Sequence, residues 1–375
     1  MKGEFILGKK TFMKGNEAIA ESAIRSGCKA YYGYPITPQN ELTAYMAKKM
    51  KNLGRVFIQT ESEIAAINAV YGSTVAGFRA MTSSAGTAMG LKQEGISHLA
   101  YMEVPAVIVD MMRGGPGLGN ILATQGDYNM ATKGGGTGDY HVIVLAPNSV
   151  QEASDLTRLA FELADKYRNP AMILADGTIG QMMENVEFME PIEPEDLPAP
   201  DYALTGCEGR APRKAEPKNS AQELEDHNIA LQLKYDICAL NEQRAEEIMT
   251  EDAEVIIVAF GSVSRMVHEI IADAREEGYK FGLFRPITLW PFPEKAFRKN
   301  IVHAKAVVVL EHNAGMMTRD VRMYVSERCP VYYHGRMGGN IIDMEVVSKK
   351  IKSIIDSKGK DWGDLDGKQG LWKTF

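Results

Sequence analysis

The chain has 375 residues, long enough for two domains that each bury roughly 70% of the surface exposed by the unfolded chain, so no disulfide or metal staple is required. A formal charge of -7, with Lys and Arg scattered and no basic run, leaves no footprint for phosphate backbones and excludes nucleic acid as an expected partner. No run of about 18 apolar residues occurs, and Phe5-Ile6-Leu7 is too short for a signal-peptide core, so no membrane is expected and the reading is a soluble cytoplasmic protein.

From residue 15 onward, short β-branched runs alternate with helical stretches. Residues 17–26 predict a helix, 30–33 a strand, 40–51 a helix, 56–59 a strand, 62–77 a helix, 79–82 a strand and 86–102 a helix. A buried strand over 105–112 follows, then further strands over 142–145 and 171–174. Apolar strands alternating with helices predict an α/β fold, a doubly wound parallel sheet with helices on both faces, over residues 1–190. Pro, Glu and Asp then gather between 191 and 217 as in a linker, and 221–249 predicts a polar helix. Its apolar positions, Leu224, Ile229, Leu231, Leu233 and Ile237, are irregularly spaced, so it lies either across the domain surface or against another subunit. Residues 191–250 therefore read as linker and surface helix. A second, smaller α/β domain is expected over 251–375, with strands at 255–258, 280–284, 306–310 and 331–333.

The four cysteines, Cys28, Cys207, Cys238 and Cys329, lie far apart with no Cys-x-x-Cys pair, so no metal cluster is expected on this chain and the thiols read as small buried hydrophobes. The seven His form no pair at ligand spacing and read as structural or solvated. The 21 Met read as core filler.

Open parallel sheets bind ligands beyond the carboxyl ends of their strands, which singles out the residues just after each predicted strand. In Gly33-Tyr34-Pro35-Ile36-Thr37-Pro38 two prolines fix φ and hold Thr37 in a set direction, suited to positioning a substrate or to a plain strand-ending turn. Thr60-Glu61-Ser62-Glu63 fits a capping box with Thr60 at N-cap and Glu63 at N3; alternatively, Glu63 is a carboxylate aimed at a ligand above the sheet. Ser83-Ser84-Ala85-Gly86 ends a third strand. Arg113 opens the glycine-rich run to Asn120 and offers a bidentate grip on a carboxylate or phosphate, or else faces solvent on a flexible loop. The glycines at 115, 117 and 119 have the wrong spacing for a dinucleotide fingerprint. Asp127 and the glycines at 134–136 extend this region into a long loop of the kind found over active sites.

Taken together, GYPITP at 33–38, ESEIAAINAVYG at 61–72, RGGPGLGN at 113–120, QGDYN at 125–129 and LFRPITLWPFP at 283–293 resemble, in order and spacing, the alpha-type subunit of 2-oxoacid:ferredoxin oxidoreductases, and within that family the branched-chain type acting on 3-methyl-2-oxobutanoate. The resemblance covers most of the chain. It implies a thiamine-diphosphate pyrimidine-binding domain followed by one of transketolase C-terminal type. It also implies that Glu63 hydrogen-bonds N1′ of the aminopyrimidine and favours the imino tautomer, and that Thr37 and Arg113 hold the substrate's carbonyl and carboxylate. Pro35 and Ser84 are expected beside the cofactor. The reaction so implied is oxidative decarboxylation, with electrons passing to iron–sulfur clusters and ferredoxin and the acyl group to coenzyme A.

The chain lacks the Gly-Asp-Gly segment and later Asn that hold Mg²⁺ and the diphosphate in thiamine enzymes; Ala175-Asp176-Gly177 departs at its first position. The resemblance therefore implies a beta-type partner carrying the diphosphate half-site, Mg²⁺ and a cluster, with gamma- and delta-type subunits for the remainder. Met111 and Met112, just before Arg113, would suit a branched chain. A 2-oxoglutarate or aryl 2-oxoacid substrate remains open, as does a non-catalytic assembly subunit.

Overall fold

The computed structural model describes residues 10–211, 218–325 and 329–357. The Phe5-Ile6-Leu7 stretch, the end of the 191–217 segment and the last part of the second predicted domain lie outside the described residues. Fourteen strands occur among the described residues. They are β1 (Thr11–Lys14), β2 (Ala30–Gly33), β3 (Val56–Gln59), β4 (Ala80–Ser84), β5 (Ala106–Met112), β6 (Ile143–Leu145) and β7 (Pro170–Asp176), then β8 (Met183–Val186), β9 (Ala245–Ile248), β10 (Val255–Val258), β11 (Phe281–Pro286), β12 (Thr288–Trp290), β13 (Ala306–Glu311) and β14 (Val331–Gly335).

Seven strands form the first sheet in the order β12-β6-β7-β5-β4-β2-β3, all neighbours parallel except β12, which runs antiparallel to β6. Every residue of β5 and β7 is buried because helices cover both faces of the sheet. Successive strand residues point to opposite faces, and β5 divides accordingly: Val107, Val109 and Met111 join Ile19, Ile24, Leu156 and Phe161 on one side, while Ile108 and Met112 join Ile67, Ile96 and Leu99 on the other. The second sheet has the order β14-β13-β10-β11-β9, with β9 antiparallel at its edge.

The two sheets share one of these cores, since Ile256, Val258, Phe260 and Phe284 pack into the cluster that holds Ile108 and Leu99. Polar contacts also join them. Arg285 of β11 is buried and chelates Glu152 with two bonds of 2.8 Å while donating to Glu246 at 2.6 Å. Asp176, at the end of β7, caps helix Gly177–Gln181 and also accepts from the Ser262 hydroxyl at 2.6 Å.

Three features differ from expectation. The helix predicted over 86–102 is two helices, Thr87–Gly90 and Gln93–Tyr101. Gly90 weakens the run, and the stem of Lys92 turns inward so that its Nζ donates to Thr82 Oγ1 at 2.9 Å. The helix predicted to reach residue 249 ends at Asn241, and 245–248 is β9, which gains a backbone partner in β11. That helix lies across the surface through Leu231, Tyr235 and Cys238, while Ile229, Leu233, Ile237 and Leu240 stay exposed. Third, the Thr288–Trp290 segment leaves the second unit to extend the first sheet as β12. Of the cysteines, Cys28 and Cys238 are buried as expected, whereas Cys207 is exposed. No helix of the described residues is long and apolar enough to cross a membrane.

Candidate functional site

The parallel strands β2, β3, β4 and β5 deliver their following loops to the same end of the sheet. The loop after β2 is held from behind by Gln39, which is fully buried. Its Oε1 accepts from Thr43 at 2.8 Å and Ser83 at 2.6 Å, and its Nε2 donates to the Tyr34 carbonyl at 3.2 Å. The Pro38 carbonyl accepts from Asn16 at 2.8 Å and Gln181 at 3.2 Å. These bonds, with the two prolines, leave Thr37 in one place, half-buried, while Pro35 is exposed on the same loop. The Thr37 hydroxyl accepts from Asn40 at 3.1 Å, so its own proton is free to donate.

Arg113 follows β5 and is buried to 9% exposure. It is not a solvent-facing side chain: Nη1 donates to the Thr37 carbonyl at 3.1 Å and Nη2 to the Leu118 carbonyl at 3.2 Å, which leaves buried Nε without a partner. The glycine-rich loop beyond it closes on itself, with Gly114 N on the Leu122 carbonyl at 2.9 Å and Asn120 N on the Gly114 carbonyl at 3.0 Å. Gly119 must be glycine there, since its φ is +55° and a Cβ would lie 1.7 Å from the Gly114 oxygen. The loop is fastened by Asn120 to the Gly338 carbonyl at 2.9 Å and by the Thr87 hydroxyl to the Gly117 carbonyl, yet it exposes Leu118, Ile121 and Leu122. Gly86, with φ +52°, lets the Arg113 stem pass where a Cβ would stand 3.0 Å from its Cγ.

The segment after β3 resolves the two readings of Glu63. Thr60 is not the N-cap: its backbone N–H donates to the Gly33 carbonyl at 3.0 Å, pinning this loop to the end of β2. The cap is Ser62, whose hydroxyl accepts from Ala65 N at 3.2 Å. Glu63 is therefore the first helical residue, and the expected capping box does not form. The residue is 7% exposed, and its carboxylate takes no hydrogen bond from any described residue. The charge facing it is Lys92, whose ammonium is pushed down to about 7 by burial and held up in part by Glu63. Because the cap and the carboxylate are separate residues, Ser62→Ala should lower stability by about 1 kcal/mol without touching the carboxylate. A lowered denaturation midpoint with unchanged turnover per folded enzyme is the expected measurement.

Thr37 and Arg113 are thus brought together by a hydrogen bond, and Ser84 lies two residues from the Gly86 that accommodates Arg113. No hydrogen bond joins Glu63 to either Thr37 or Arg113. Ser84 Oγ is fully buried and has no partner. Met111 and Met112 do not line this space: each is buried in one of the two cores, because residues ending a central strand alternate between faces. The sequence reading missed Asp110. It is paired in register with Ser84, fully buried, and neither carboxyl oxygen has a hydrogen-bond partner. The signal was available as the only charge in the buried run Ala106–Met112. Burial, then the charge of Asp127, pushes the Asp110 carboxyl well above the usual range; burial also raises Asp127, against the pull of Arg113.

The orphaned hydroxyl of Ser84, at the end of β4, and the carboxylate of Glu63, at the start of the helix after β3 and without a hydrogen bond, suit a polar heteroaromatic group that both donates and accepts hydrogen bonds. The family model for the thiamine-diphosphate-binding region of pyruvate flavodoxin/ferredoxin oxidoreductases matches residues 21–237, and that for core domain II of pyruvate:ferredoxin oxidoreductase matches residues 253–347. Ketoisovalerate oxidoreductase subunit VorB of Methanothermobacter marburgensis is 48% identical over 91% of this chain and 97% of its own length. The 2-oxoglutarate synthase subunit KorA of Methanocaldococcus jannaschii is 34% identical over 92% of this chain and 99% of its own. Among solved structures, the 2-oxoglutarate:ferredoxin oxidoreductase of Magnetococcus marinus, with 2-oxoglutarate, coenzyme A and succinyl-CoA bound, is similar with a TM-score of 0.80 at 27% identity over 92% of this chain. This chain spans 65% of that one. A split-gene transketolase, 15% identical with a TM-score of 0.56, shares the fold alone. With both regions matched in order along one α/β chain, the protein belongs to the pyruvate flavodoxin/ferredoxin oxidoreductase family.

Proposed function

We propose that this chain is the subunit that holds the pyrimidine half of thiamine diphosphate and the carboxylate of a branched 2-oxoacid, 3-methyl-2-oxobutanoate, in an enzyme that converts it to the acyl-CoA and passes electrons to ferredoxin. The observation that carries this reading is the guanidinium of Arg113, fixed by the Thr37 and Leu118 carbonyls with Nε unpaired, at the same sheet end as the unpartnered Glu63.

In this reading residues 1–190 form the pyrimidine-binding domain, 191–250 the linker and surface helix, and 251–375 the transketolase C-terminal-like domain. Glu63 holds a proton shared with a ring nitrogen of the cofactor, and burial keeps water from competing for it. Ser84 Oγ and the loop at Pro35 flank the same ring. Arg113 grips the substrate carboxylate, and the Thr37 hydroxyl donates to the carbonyl or carboxylate beside it. When bound, thiamine diphosphate supplies the carbon nucleophile and electron sink that loss of carbon dioxide requires. Mg²⁺, the diphosphate half-site and the iron–sulfur clusters belong to a beta-type subunit and smaller gamma- and delta-type subunits. The exposed Leu118, Ile121 and Leu122 on the loop over the site support such a covering partner. The branched substrate is supported by the 48% identity to a ketoisovalerate oxidoreductase subunit, against 34% to a 2-oxoglutarate synthase subunit.

The test is to purify the native complex and follow coenzyme A-dependent viologen reduction with 3-methyl-2-oxobutanoate, 2-oxoglutarate and an aryl 2-oxoacid. We expect kcat/KM for the branched acid to exceed the others by about tenfold or more, the scale on which pocket contacts discriminate. A higher value for 2-oxoglutarate would reassign the substrate. No turnover with any of them would favour a non-catalytic assembly subunit, and full activity from this chain alone would overturn the subunit reading.

A further inference from the structure

Two carboxyl groups lie around Gly86, and both have buried oxygens that no side chain bonds. Asp110 is enclosed in β5 with neither oxygen hydrogen-bonded, and Asp127, which begins helix Tyr128–Lys133, leaves Oδ2 in the same condition. Both are drawn on by the backbone amide of Gly86, the glycine against which the Arg113 stem packs. The charge facing Asp110 is that of Asp127, and the charge facing Asp127 is that of Arg113. Cations of the adjoining elements are engaged elsewhere, Lys92 on Thr82 toward Glu63 and Lys133 on Asp320.

Two carboxyl groups whose charges oppose one another around a buried site do not both ionise readily, so the pair shares a proton and carries one negative charge, with Asp127 facing the guanidinium. A substrate carboxylate arriving at Arg113 brings a second negative charge into the same enclosure. We propose that Asp110 and Asp127 are positioning residues acting through Arg113 as an internal counter-ion: the pair holds one proton in the free enzyme and takes a second from water as a 2-oxoacid carboxylate settles on the guanidinium. The proton returns to water when the carboxylate leaves, so charge and protons balance over the cycle. This inference rests on the reading of Arg113 as the carboxylate grip.

The consequence is a pH dependence with a defined sign. Below the transition of the free pair both carboxyls are already neutral, and KM is flat. Above it, binding must draw a proton from solution, and KM rises by up to about tenfold per pH unit. Asp127 is pushed up to about 6, which places the rise on the alkaline side of that value. Asp127→Asn leaves Asp110 neutral throughout, so the slope in KM should vanish. Asp110→Asn has the opposite effect, because a lone Asp127 beside Arg113 ionises more readily and competes with the substrate, raising KM several-fold at neutral pH.

The experiment measures KM and kcat for 3-methyl-2-oxobutanoate from about pH 6 to 8 on the assembled complex, for wild type, both Asn variants and Arg113→Met. Calorimetric titration of the wild type with 2-hydroxy-3-methylbutanoate in two buffers of different protonation enthalpy adds a readout that needs no variant and no turnover. About one proton taken up per ligand near pH 7.5 is expected. A flat wild-type KM with no proton uptake, or a slope that survives in Asp127→Asn, overturns the proposal. An unchanged KM in Arg113→Met would instead remove the carboxylate reading beneath it, while a raised KM in that variant with the slope intact would remove only the counter-ion.

Discussion

Glu63→Gln is expected to leave the complex assembled while lowering turnover by about 10²–10⁴-fold, the range over which a positioned proton-transfer group contributes. The amide has the same shape, so packing around a residue that is 7% exposed should persist. Helix initiation should also persist, because Ser62 performs the capping; the change forfeits at most about 1 kcal/mol of favourable charge at a helix N-terminus. What the amide cannot do is share a proton with a ring nitrogen. Lys92 gives an internal check. With the facing carboxylate neutralised, its ammonium loses the charge that holds it up, so the already lowered value should fall further. The measurement is single-turnover decarboxylation together with the mass of the complex. Near-normal turnover accompanied only by lowered stability would return Glu63 to a structural role.

The second large effect is expected from Arg113→Met, a loss of about 10²–10³-fold in kcat/KM with thiamine diphosphate affinity nearly unchanged. Removing one member of a buried charge pair costs about 2–5 kcal/mol, and each 1.4 kcal/mol is about tenfold. Methionine keeps an unbranched stem against Gly86, so the loop after β5 should retain its course, although the Thr37 and Leu118 carbonyls lose their donors. Titration of the cofactor into the complex, with steady-state kinetics on the 2-oxoacid, separates the alternatives. Loss of cofactor binding would place Arg113 on the cofactor side of the site.

Much of the architecture was legible because its periodicities are local. The central strands are continuous apolar runs, and their order with intervening helices specifies a parallel sheet before any contact is known. The strand ends that carry Thr37, Glu63, Ser84 and Arg113 followed from that reading and the motif strings. Features that depend on distant partners were not legible. Residues 245–248 look like a helix tail until β11 is beside them. Lys92 looks like a surface residue within a helix until Thr82 offers its hydroxyl. Thr60 and Ser62 compete for the same capping role, and the bond from Thr60 N to the Gly33 carbonyl, between strands far apart in sequence, decides it. Met111 and Met112 fall inside the strand expected over 105–112 and read as substrate neighbours only because Arg113 follows them, whereas each points into a core. Asp110, the one charge in the buried run of β5, was passed over, and Asp127 lies across a loop whose path no local pattern specifies.

The antiparallel strand β12 has a consequence for how this polypeptide can be divided. A cut or gene fusion placed near residue 250, the expected start of the second domain, would leave β6 as a bare sheet edge and strip Trp290 from its stack on His141 at 4.5 Å and from its edge contact with Tyr235. Chimaeras that exchange the C-terminal portion between relatives therefore also exchange the border strand of the N-terminal sheet. Inheritance of the two halves is coupled through three residues that neither half can do without.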